Sequence, residues 1–251
     1  MTLLLAVPVL AATRTVDETL PAAPDGVVSI QALAGSISVM GWDRAEVNVT
    51  GTLDDEAIEL KIKESGQRTT ISAEPIEDAD DHLSGTVDLE IRVPRGGRLE
   101  TETISADVTV EAIDGTVTIE SISGAVKVAG NVPEAEVSTV SGQIIITSSA
   151  ELQGGEFQSV AGNIKLKGML SADGSFSFET VSGNIELHLP GGTSAEFEVE
   201  TFNGDIENDF GQKAEKTSKY LPSKRLEFSL GGGGASVSVN SINGSVRLVQ
   251  D

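Results

Sequence analysis

Cysteine is absent from this 251-residue chain. Disulfides, zinc–thiolate sites, iron–sulfur clusters, a thiol nucleophile and a cysteine-linked lipid anchor are therefore excluded. Aromatic residues make up only 4 % of the chain, with Trp42 and Tyr220 as its single tryptophan and tyrosine. Carbohydrate-binding surfaces usually expose several aromatic rings, so this composition argues against sugar binding. We expect Trp42 to pack near the N-terminal end of the fold and Tyr220 to lie in a loop.

Basic residues are also scarce, with 17 Lys and Arg against 39 Asp and Glu, which gives a formal net charge of −22. Such a charge repels nucleic-acid phosphates and anionic lipid headgroups, so neither is expected as a partner. It favours a cationic peptide or a basic protein surface. Solubility of a β protein with open strand edges is the alternative reason for the acidic residues, and the composition leaves both interpretations open.

Long apolar runs are missing, and no transmembrane span is expected. The first residues, "MTLLLAVPVLAAT", form a short apolar stretch followed by small residues. This pattern predicts a signal peptide over residues 1–12, cleaved after Ala11 or Ala12, and an exported protein that is periplasmic, on the cell surface or secreted. An ordinary first strand is the alternative, since the usual basic residues do not precede the stretch.

One short phrase recurs through the rest of the sequence, for example as "TVSGNIELHLPGG" at 180–192 and "SVAGNIKLKG" at 159–168. The residue two positions before its centre is apolar in every copy, and the residue two positions after is Ile or Val. This period-2 alternation predicts strands with both positions facing a core. The centres are Gly35, Ala106, Gly115, Gly124, Gly142, Gly162, Gly183, Gly204 and Gly244.

The spacing of the centres predicts the fold. From Gly124 to Gly204 the steps are 18, 20, 21 and 21 residues. A repeat of this length predicts an all-β chain folded as a single-stranded β-solenoid, similar to a β-helix, with about 18–21 residues and two strands per coil. We expect right-handed coils, corner glycines with positive φ, ladders of Ser and Thr three positions before each centre, and Ile164, Ile185, Ile206 and Val246 in one buried column.

The chain divides by regularity within one continuous domain. Residues 13–100 are predicted to form less regular coils, and residues 101–251 the regular repeats, with an extruded loop near 209–228. The last copy, "SINGSVRLVQD", leaves no room for a cap after it. Because natural proteins avoid bare strand edges, we expect either the 212–230 segment or a second molecule of the chain to cover this C-terminal coil.

The ordered set of phrases resembles one known family. The residues that carry the resemblance are "GSISVMGWD", "VPRGG", the recurring T-[VI]-S-G-x-[IV], "HLPGG" and "GASVSVNSINGSVRL". They are similar to the DUF4097 family of bacterial β-strand-repeat proteins, which are of unassigned function and carry the label "putative adhesin". The resemblance implies a secreted or envelope β-solenoid and assigns no catalytic residue.

Chemistry-bearing residues are few and scattered. Glu186 and Glu207 occupy the same outward position in neighbouring copies, but Lys165 and Arg247 share that position, which favours a solvated charge ladder. His82 ends an acidic loop, and His188 lies on a strand with no acidic or hydroxyl partner fixed by the sequence; both are predicted to lie on the surface. The acidic loop "EPIEDADDH" is either a solvated surface loop or a calcium site. The ligands of such a site would be Glu74, Glu77, Asp78, Asp80 and Asp81. No cofactor is expected.

These observations favour a non-enzymatic interaction module, adhesin-like or related to envelope stress. The alternatives are a self-assembling scaffold and, more remotely, a polysaccharide-active β-helix enzyme. A scaffold would elute large and concentration-dependent on sizing, whereas a binding protein would stay small.

Overall fold

The computed structural model describes residues 13–54, 58–75 and 85–251, and in these ranges the chain forms nineteen β-strands and no helix. Consequently, no helix in the described ranges is long and apolar enough to cross a membrane. The strands are β1 (Arg14–Pro21), β2 (Val27–Trp42), β3 (Glu46–Leu53), β4 (Ile58–Ser65), β5 (Arg68–Pro75), β6 (Val87–Pro94), β7 (Arg98–Glu111), β8 (Thr116–Ser123), β9 (Val126–Gly130), β10 (Glu134–Ser141), β11 (Ile144–Ser159), β12 (Ile164–Ser182), β13 (Ile185–Leu189), β14 (Ala195–Asn203), β15 (Ile206–Asn208), β16 (Glu215–Lys216), β17 (Lys224–Leu230), β18 (Ala235–Asn243) and β19 (Val246–Gln250).

All strands belong to one mixed sheet, whose pairings form two ladders. The first ladder runs in the spatial order β4, β5, β2, β7, β8, β10, β11, β12, β18, β14, β17 and β16. The second runs β1, β3, β6, β2, β7, β9, β11, β12, β13, β19 and β15. Pairing is parallel except at the ends of the ladders, so each repeat unit gives one strand to each ladder, with a corner between them.

The last repeat unit does not lie at the end of the stack. Strand β18 pairs with β12 on one side and β14 on the other, and β19 likewise lies between β13 and β15. The expectation that this unit would form a terminal edge is therefore wrong. The 212–230 segment does cover an edge, but it covers β14: β17 pairs antiparallel with β14, and the Phe228 ring stacks on Phe197 with centroids 4.7 Å apart.

The positions after each corner face the core, as predicted. Ile164, Ile185 and Val246 are 0 % exposed and pair in register from strand to strand. Ile206 is partly buried, because its strand β15 pairs on one side only. Buried apolar residues of both ladders belong to a single core cluster.

The corner glycines are needed for close packing more than for positive φ. Only Gly35 and Gly124 among the predicted centres have a positive φ, of 121° and 120°. At Gly162 a Cβ atom would lie 1.8 Å from the carbonyl oxygen of Gly142, and the same contact recurs along the stack. The predicted reason for glycine thus holds at two centres, and the approach of neighbouring corners explains the others.

Gly115 is not a corner of this kind. It lies between β7 and β8, where the chain passes from one repeat unit to the next, and a Cβ atom there would meet the carbonyl oxygen of Gly97 at 1.9 Å. The predicted centres Ala106, Gly115 and Gly124, nine residues apart, are therefore of two kinds. Ala106 and Gly124 are corners within a repeat unit, whereas Gly115 lies in the connection between two units.

The residues three positions before the corners form a buried ladder of hydroxyl groups, as expected. Thr103 donates to the Ser121 hydroxyl at 3.0 Å, and Thr201 donates to the carbonyl oxygen of Gly244 at 2.8 Å. Thr180 and Ser241 likewise donate to the corner carbonyl oxygens of Gly162 and Gly183, each at 3.3 Å, so the row links several neighbouring units, whereas the hydroxyls of Thr139 and Ser159 are buried without a partner among the described residues. The members of the row are Thr103, Ser121, Thr139, Ser159, Thr180, Ser241 and Thr201.

Candidate functional site: an apolar groove along the corners

A row of apolar side chains lies on the outside of the molecule, two positions before each corner. We call it the corner column. Its side chains are 41 % to 52 % exposed. In spatial order the column consists of Ile104, Ile122, Val140, Val160, Val181, Ile242 and Phe202.

The prediction that these residues face the core is wrong, and the corner is the reason. Thr139 is buried and so is Ile144, five positions later, although alternation along one straight strand would place them on opposite faces. The chain turns between them, at Gly142, so the inward and outward positions after the corner do not continue the alternation before it. Val140, two positions before the centre, therefore points outward, whereas Ile144, two positions after it, points inward.

The backbone of the corner column is already paired. Val160 N–H donates to the carbonyl oxygen of Thr139 at 3.1 Å, and Ser182 N–H donates to that of Val160 at 2.8 Å. The column therefore presents apolar side chains to a partner, and its backbone is used within the stack.

A second row of outward residues runs beside the column, four positions before each corner. We call it the polar rim; it consists of Glu102, Glu120, Ser138, Gln158, Glu179, Asn240 and Glu200. The rim and the column residues from Ile122 onward line an open groove of about 900 Å³, which ends at Thr217, Ser223 and Lys224. Glu200 is also paired with Arg225 at 3.2 Å, and the ammonium group of Lys224 is paired with Asp205.

The groove is asymmetric in charge. Beyond the rim, the outer face of the first ladder carries further carboxylates, among them Glu134, Glu136 and Glu156. Glu198 on the same face is paired with Arg225 at 2.6 Å. The other side of the column is lined by small uncharged residues at the corners, such as Ser141, Ala161 and Ser182. One flank of the groove is thus acidic and the other neutral.

The sequence-predicted charge ladder lies on the second ladder, away from the groove. Lys165 pairs with Glu186 at 3.3 Å, and Arg247 pairs with Glu207 at 3.6 Å. His188 differs from its predicted role as an isolated surface residue. Its side chain is only 16 % exposed, its Nε2 contacts Glu186, and its Nδ1 lies 3.1 Å from Asp251 Oδ1.

This cluster changes the pKa of two carboxyl groups. Partial burial opposes ionisation of Glu186, but hydrogen bonds from His188 and Lys165 outweigh it and lower the pKa below its ordinary value of 4.5. A hydrogen bond from Lys167, 2.7 Å away, and a second from His188 lower the pKa of Asp251. Both groups are therefore held as carboxylates, as expected of an ion-pair network.

The remaining predicted residues lie apart from the groove. His82 and four of the candidate calcium ligands, Glu77, Asp78, Asp80 and Asp81, lie outside the described residues. Glu74 is described, and its carboxylate accepts a hydrogen bond from the Ser72 hydroxyl at 2.6 Å. In the described ranges no group of three or more His, Asp or Glu side chains is arranged to hold a metal ion.

The single tryptophan and the single tyrosine of the chain also lie apart from the groove. Trp42 donates to the carbonyl oxygen of Glu46 at 2.7 Å, with Arg44 over its ring, which fits the predicted packing role. Tyr220 is 89 % exposed, in the loop between β16 and β17.

Comparison with known proteins gives a family match and distant structural matches. The family model described as Toastrack DUF4097 matches residues 78–248, more than half of the chain. No curated protein matches. Solved structures that match include a "putative adhesin" from Parabacteroides distasonis (11 % identity, 94 % of this chain and 97 % of that chain covered, TM-score 0.49) and a "putative adhesin" from Bacteroides fragilis (9 % identity, 95 % and 99 % covered, TM-score 0.46). A "putative lipid binding protein" from Parabacteroides distasonis also matches (12 % identity, 95 % and 97 % covered, TM-score 0.42).

Proposed function

Because the chain belongs to the Toastrack DUF4097 family and its repeat units share one exposed apolar column, we propose that it is a non-enzymatic binding module of the cell envelope or of the secreted fraction. In this proposal the groove between the corner column and the polar rim is the binding site. Its ligand is a polypeptide segment that carries both apolar and cationic side chains.

The proposed architecture is a single-stranded β-solenoid with right-handed coils. Parallel pairing of successive repeat units in both ladders supports it. Right-handed connections between parallel strands are strongly preferred, because the strand twist lets the chain pack back onto the sheet only in that sense. Such a scaffold places the same residue of every unit in one line, and this alignment creates a continuous groove.

The corner column is the observation that carries the proposal. Seven apolar side chains in adjacent units stay about half exposed, although the same units bury Ile144, Ile164 and Ile185 completely. Contiguous exposed apolar surface of this kind marks interaction sites, because solvation of such a patch is costly until a partner covers it.

Charge decides between the possible partners. The rim carboxylates Glu102, Glu120 and Glu179 attract Lys and Arg and repel anionic lipid, nucleic acid and a second copy of this acidic chain. A cationic segment with apolar side chains is complementary to both parts of the groove.

A catalytic role has no comparable support. General acid catalysis by a carboxyl group at neutral pH requires a raised pKa. The pKa values of Glu186 and Asp251 are instead lowered, and both groups belong to the ion-pair cluster on the second ladder.

Self-assembly into a scaffold is the second candidate. Within the described ranges, β1 and β4 each pair on one side only, as do β15 and β16 at the other end, so both ends of the stack present open strand edges there. Open edges are where a second chain adds by backbone pairing.

Export is part of the proposal and has its own test. N-terminal sequencing of the envelope and secreted fractions is expected to begin near Ala12 or Thr13, just before β1 starts at Arg14. Intact Met1 on cytoplasmic protein would contradict export.

The binding test is calorimetric titration of the purified chain with a model peptide of leucine and lysine. We expect saturable binding at about 0.1 M salt that weakens strongly at 1 M, where the screening length falls from about 10 Å to about 3 Å. The variant Val140→Thr/Val160→Thr/Val181→Thr keeps the side-chain shapes but makes the column polar, and it is expected to bind more weakly. Ile145→Thr, a half-buried residue of the second ladder, is the matched control. Absence of binding at low salt, or equal loss in the control, would overturn the groove as the binding site.

A further inference from the structure

We propose that the ligand occupies the groove as an amphipathic α-helix lying along the corner column, with its cationic residues on one flank only. This inference rests on the proposed function and specifies the conformation, length and charge pattern of the partner.

The first argument is the state of the backbone in the groove. Along the column the N–H and C=O groups are paired between repeat units, for example Ala161 N–H with the carbonyl oxygen of Val140 at 2.8 Å. Addition of a β-strand requires a free row of such groups, and among the strands that the structure describes the open edges lie at the two ends of the stack. An extended peptide in the groove would lose water from its own backbone groups without gaining partners, which is costly. A helix satisfies its backbone internally and avoids this cost.

The second argument is the spacing of the column. Neighbouring strands in a sheet lie about 4.8 Å apart, so seven units span about 29 Å, the length of a helix of about 19 residues. One helical turn rises about 5.4 Å, close to one strand spacing, so apolar residues at i, i+3, i+4 and i+7 meet successive units. The difference between the rise of one helical turn and the strand spacing adds up to less than one helical turn over the whole column. In an extended peptide, side chains on the same side recur about every 6.6 to 6.8 Å, which differs more from the spacing of the repeat units. They therefore lose their alignment with the column over a shorter length.

The third argument is the one-sided charge. Glu120 and Glu179 lie on the rim, whereas Ser141, Ala161 and Ser182 on the other side are uncharged. A bound helix therefore gains from Lys and Arg along one edge of its apolar stripe and gains nothing from them along the other. The described part of this chain contains no helix, and with its formal charge of −22 a second copy is not this partner.

Two peptides of about 19 residues with identical composition test the inference, both made of leucine, lysine and alanine. One places its leucines with helical period and its lysines on one flank; the other places its leucines at every second position over part of its length, separated by lysine or alanine. We expect the helical-period peptide to bind more tightly by calorimetry and to gain helical circular dichroism on binding, because an isolated helix of this length is marginal in water. The triple Val→Thr variant is expected to weaken its binding about tenfold.

Charge variants locate the cationic flank. Glu120→Gln/Glu179→Gln is expected to weaken the helical-period peptide about fivefold at low salt. Glu134→Gln/Glu136→Gln removes the same charge from the outer face beyond the rim, where it does not line the groove, and is expected to weaken binding less.

The outcomes separate the inference from the proposed function. If the alternating peptide binds as tightly, or the bound peptide gains no helicity, the helical inference is overturned and the groove remains a binding site. If neither peptide binds at low salt, or the two charge variants weaken binding equally, the groove itself is overturned.

Discussion

At the scale of single residues, the corner glycines limit what the stack tolerates. Each corner approaches the corner of the neighbouring unit so closely that a single added carbon atom meets a carbonyl oxygen. Backbone atoms cannot move aside as a flexible side chain does, so the contact is relieved only by separating two units. The Ser and Thr hydroxyls three positions earlier pack against these same glycines, which makes the corner a unit of several residues.

Gly162→Ala is therefore expected to destabilise the protein by about 3 kcal/mol, because its Cβ atom would lie 1.8 Å from the Gly142 carbonyl oxygen. Gly192→Ala is the control, since a Cβ atom there meets nothing within 4 Å. It should change the free energy of unfolding by less than about 0.5 kcal/mol. Urea denaturation measures both variants. Equal stability of the two would show that neighbouring corners are farther apart than described.

The carboxylates around His188 predict a dependence of stability on pH. The pKa values of Glu186 and Asp251 are lowered in the folded chain, so their ionised forms stabilise it. This contribution is complete above the ordinary values of 4.5 and 3.8 and is lost as the pH falls through the lowered folded values. The stability advantage of the wild type over Glu186→Gln/Asp251→Asn is expected to be constant near neutral pH and to shrink in acid. Denaturation of both proteins between pH 3 and pH 7 measures it; an advantage that grows on acidification would contradict the assignment.

At the scale of elements, the insertion of β18 and β19 between earlier strands makes the fold depend on its last described unit. Before that unit arrives, β12 and β13 lack their partners on one side, and so do β14 and β15. Such long-range pairing is slow to form, because the chain between the partners must be ordered first.

Deletion of residues 231–251 is accordingly expected to abolish cooperative unfolding, because it removes the centre of one half of the stack. Replacement of 218–222, at the tip of the loop before β17, by a Gly-Ser linker of equal length should preserve cooperativity, since these side chains are mostly exposed. Thermal denaturation followed by circular dichroism compares the two. A truncated chain that still unfolds in one sharp transition would contradict the pairing of β18 with both β12 and β14.

The elements also show how much could be predicted from the sequence. The strands and the buried Ile164, Ile185 and Val246 follow from local alternation, since each depends on one strand only. The repeat length and the hydroxyl ladder follow from the regular recurrence of one phrase along the chain. The outward direction of Val160 could not be predicted in this way. The chain turns at each corner, and the sequence does not show at which residue the inward and outward positions exchange. The position of β18 was not predictable either: β12, β14 and β18 share one pattern, so that pattern does not select which of them are neighbours.

At the scale of the whole molecule, open strand edges favour association between molecules, and charge opposes it. The ends of the stack invite addition of further strands, but the exposed edge strands are themselves charged: β1 contains Arg14, Asp17 and Glu18, and β4 contains Glu59, Lys63 and Glu64. Charged edge strands are a common protection against edge-to-edge association. The net charge of −22 adds a repulsion between whole molecules.

We therefore expect the purified chain to elute as a monomer at about 0.1 M salt over a wide range of concentrations, because repulsion between acidic molecules extends over a screening length of about 10 Å. At 1 M salt this length is about 3 Å, and any association through β1 or β4 should then become detectable. Size-exclusion chromatography with light scattering at both salt concentrations measures the mass directly. A variant with Lys63→Glu tests the edge, since an added acidic residue on β4 should suppress association at high salt if that strand mediates it. Large, concentration-dependent species already present at low salt would favour the self-assembling scaffold over the binding module.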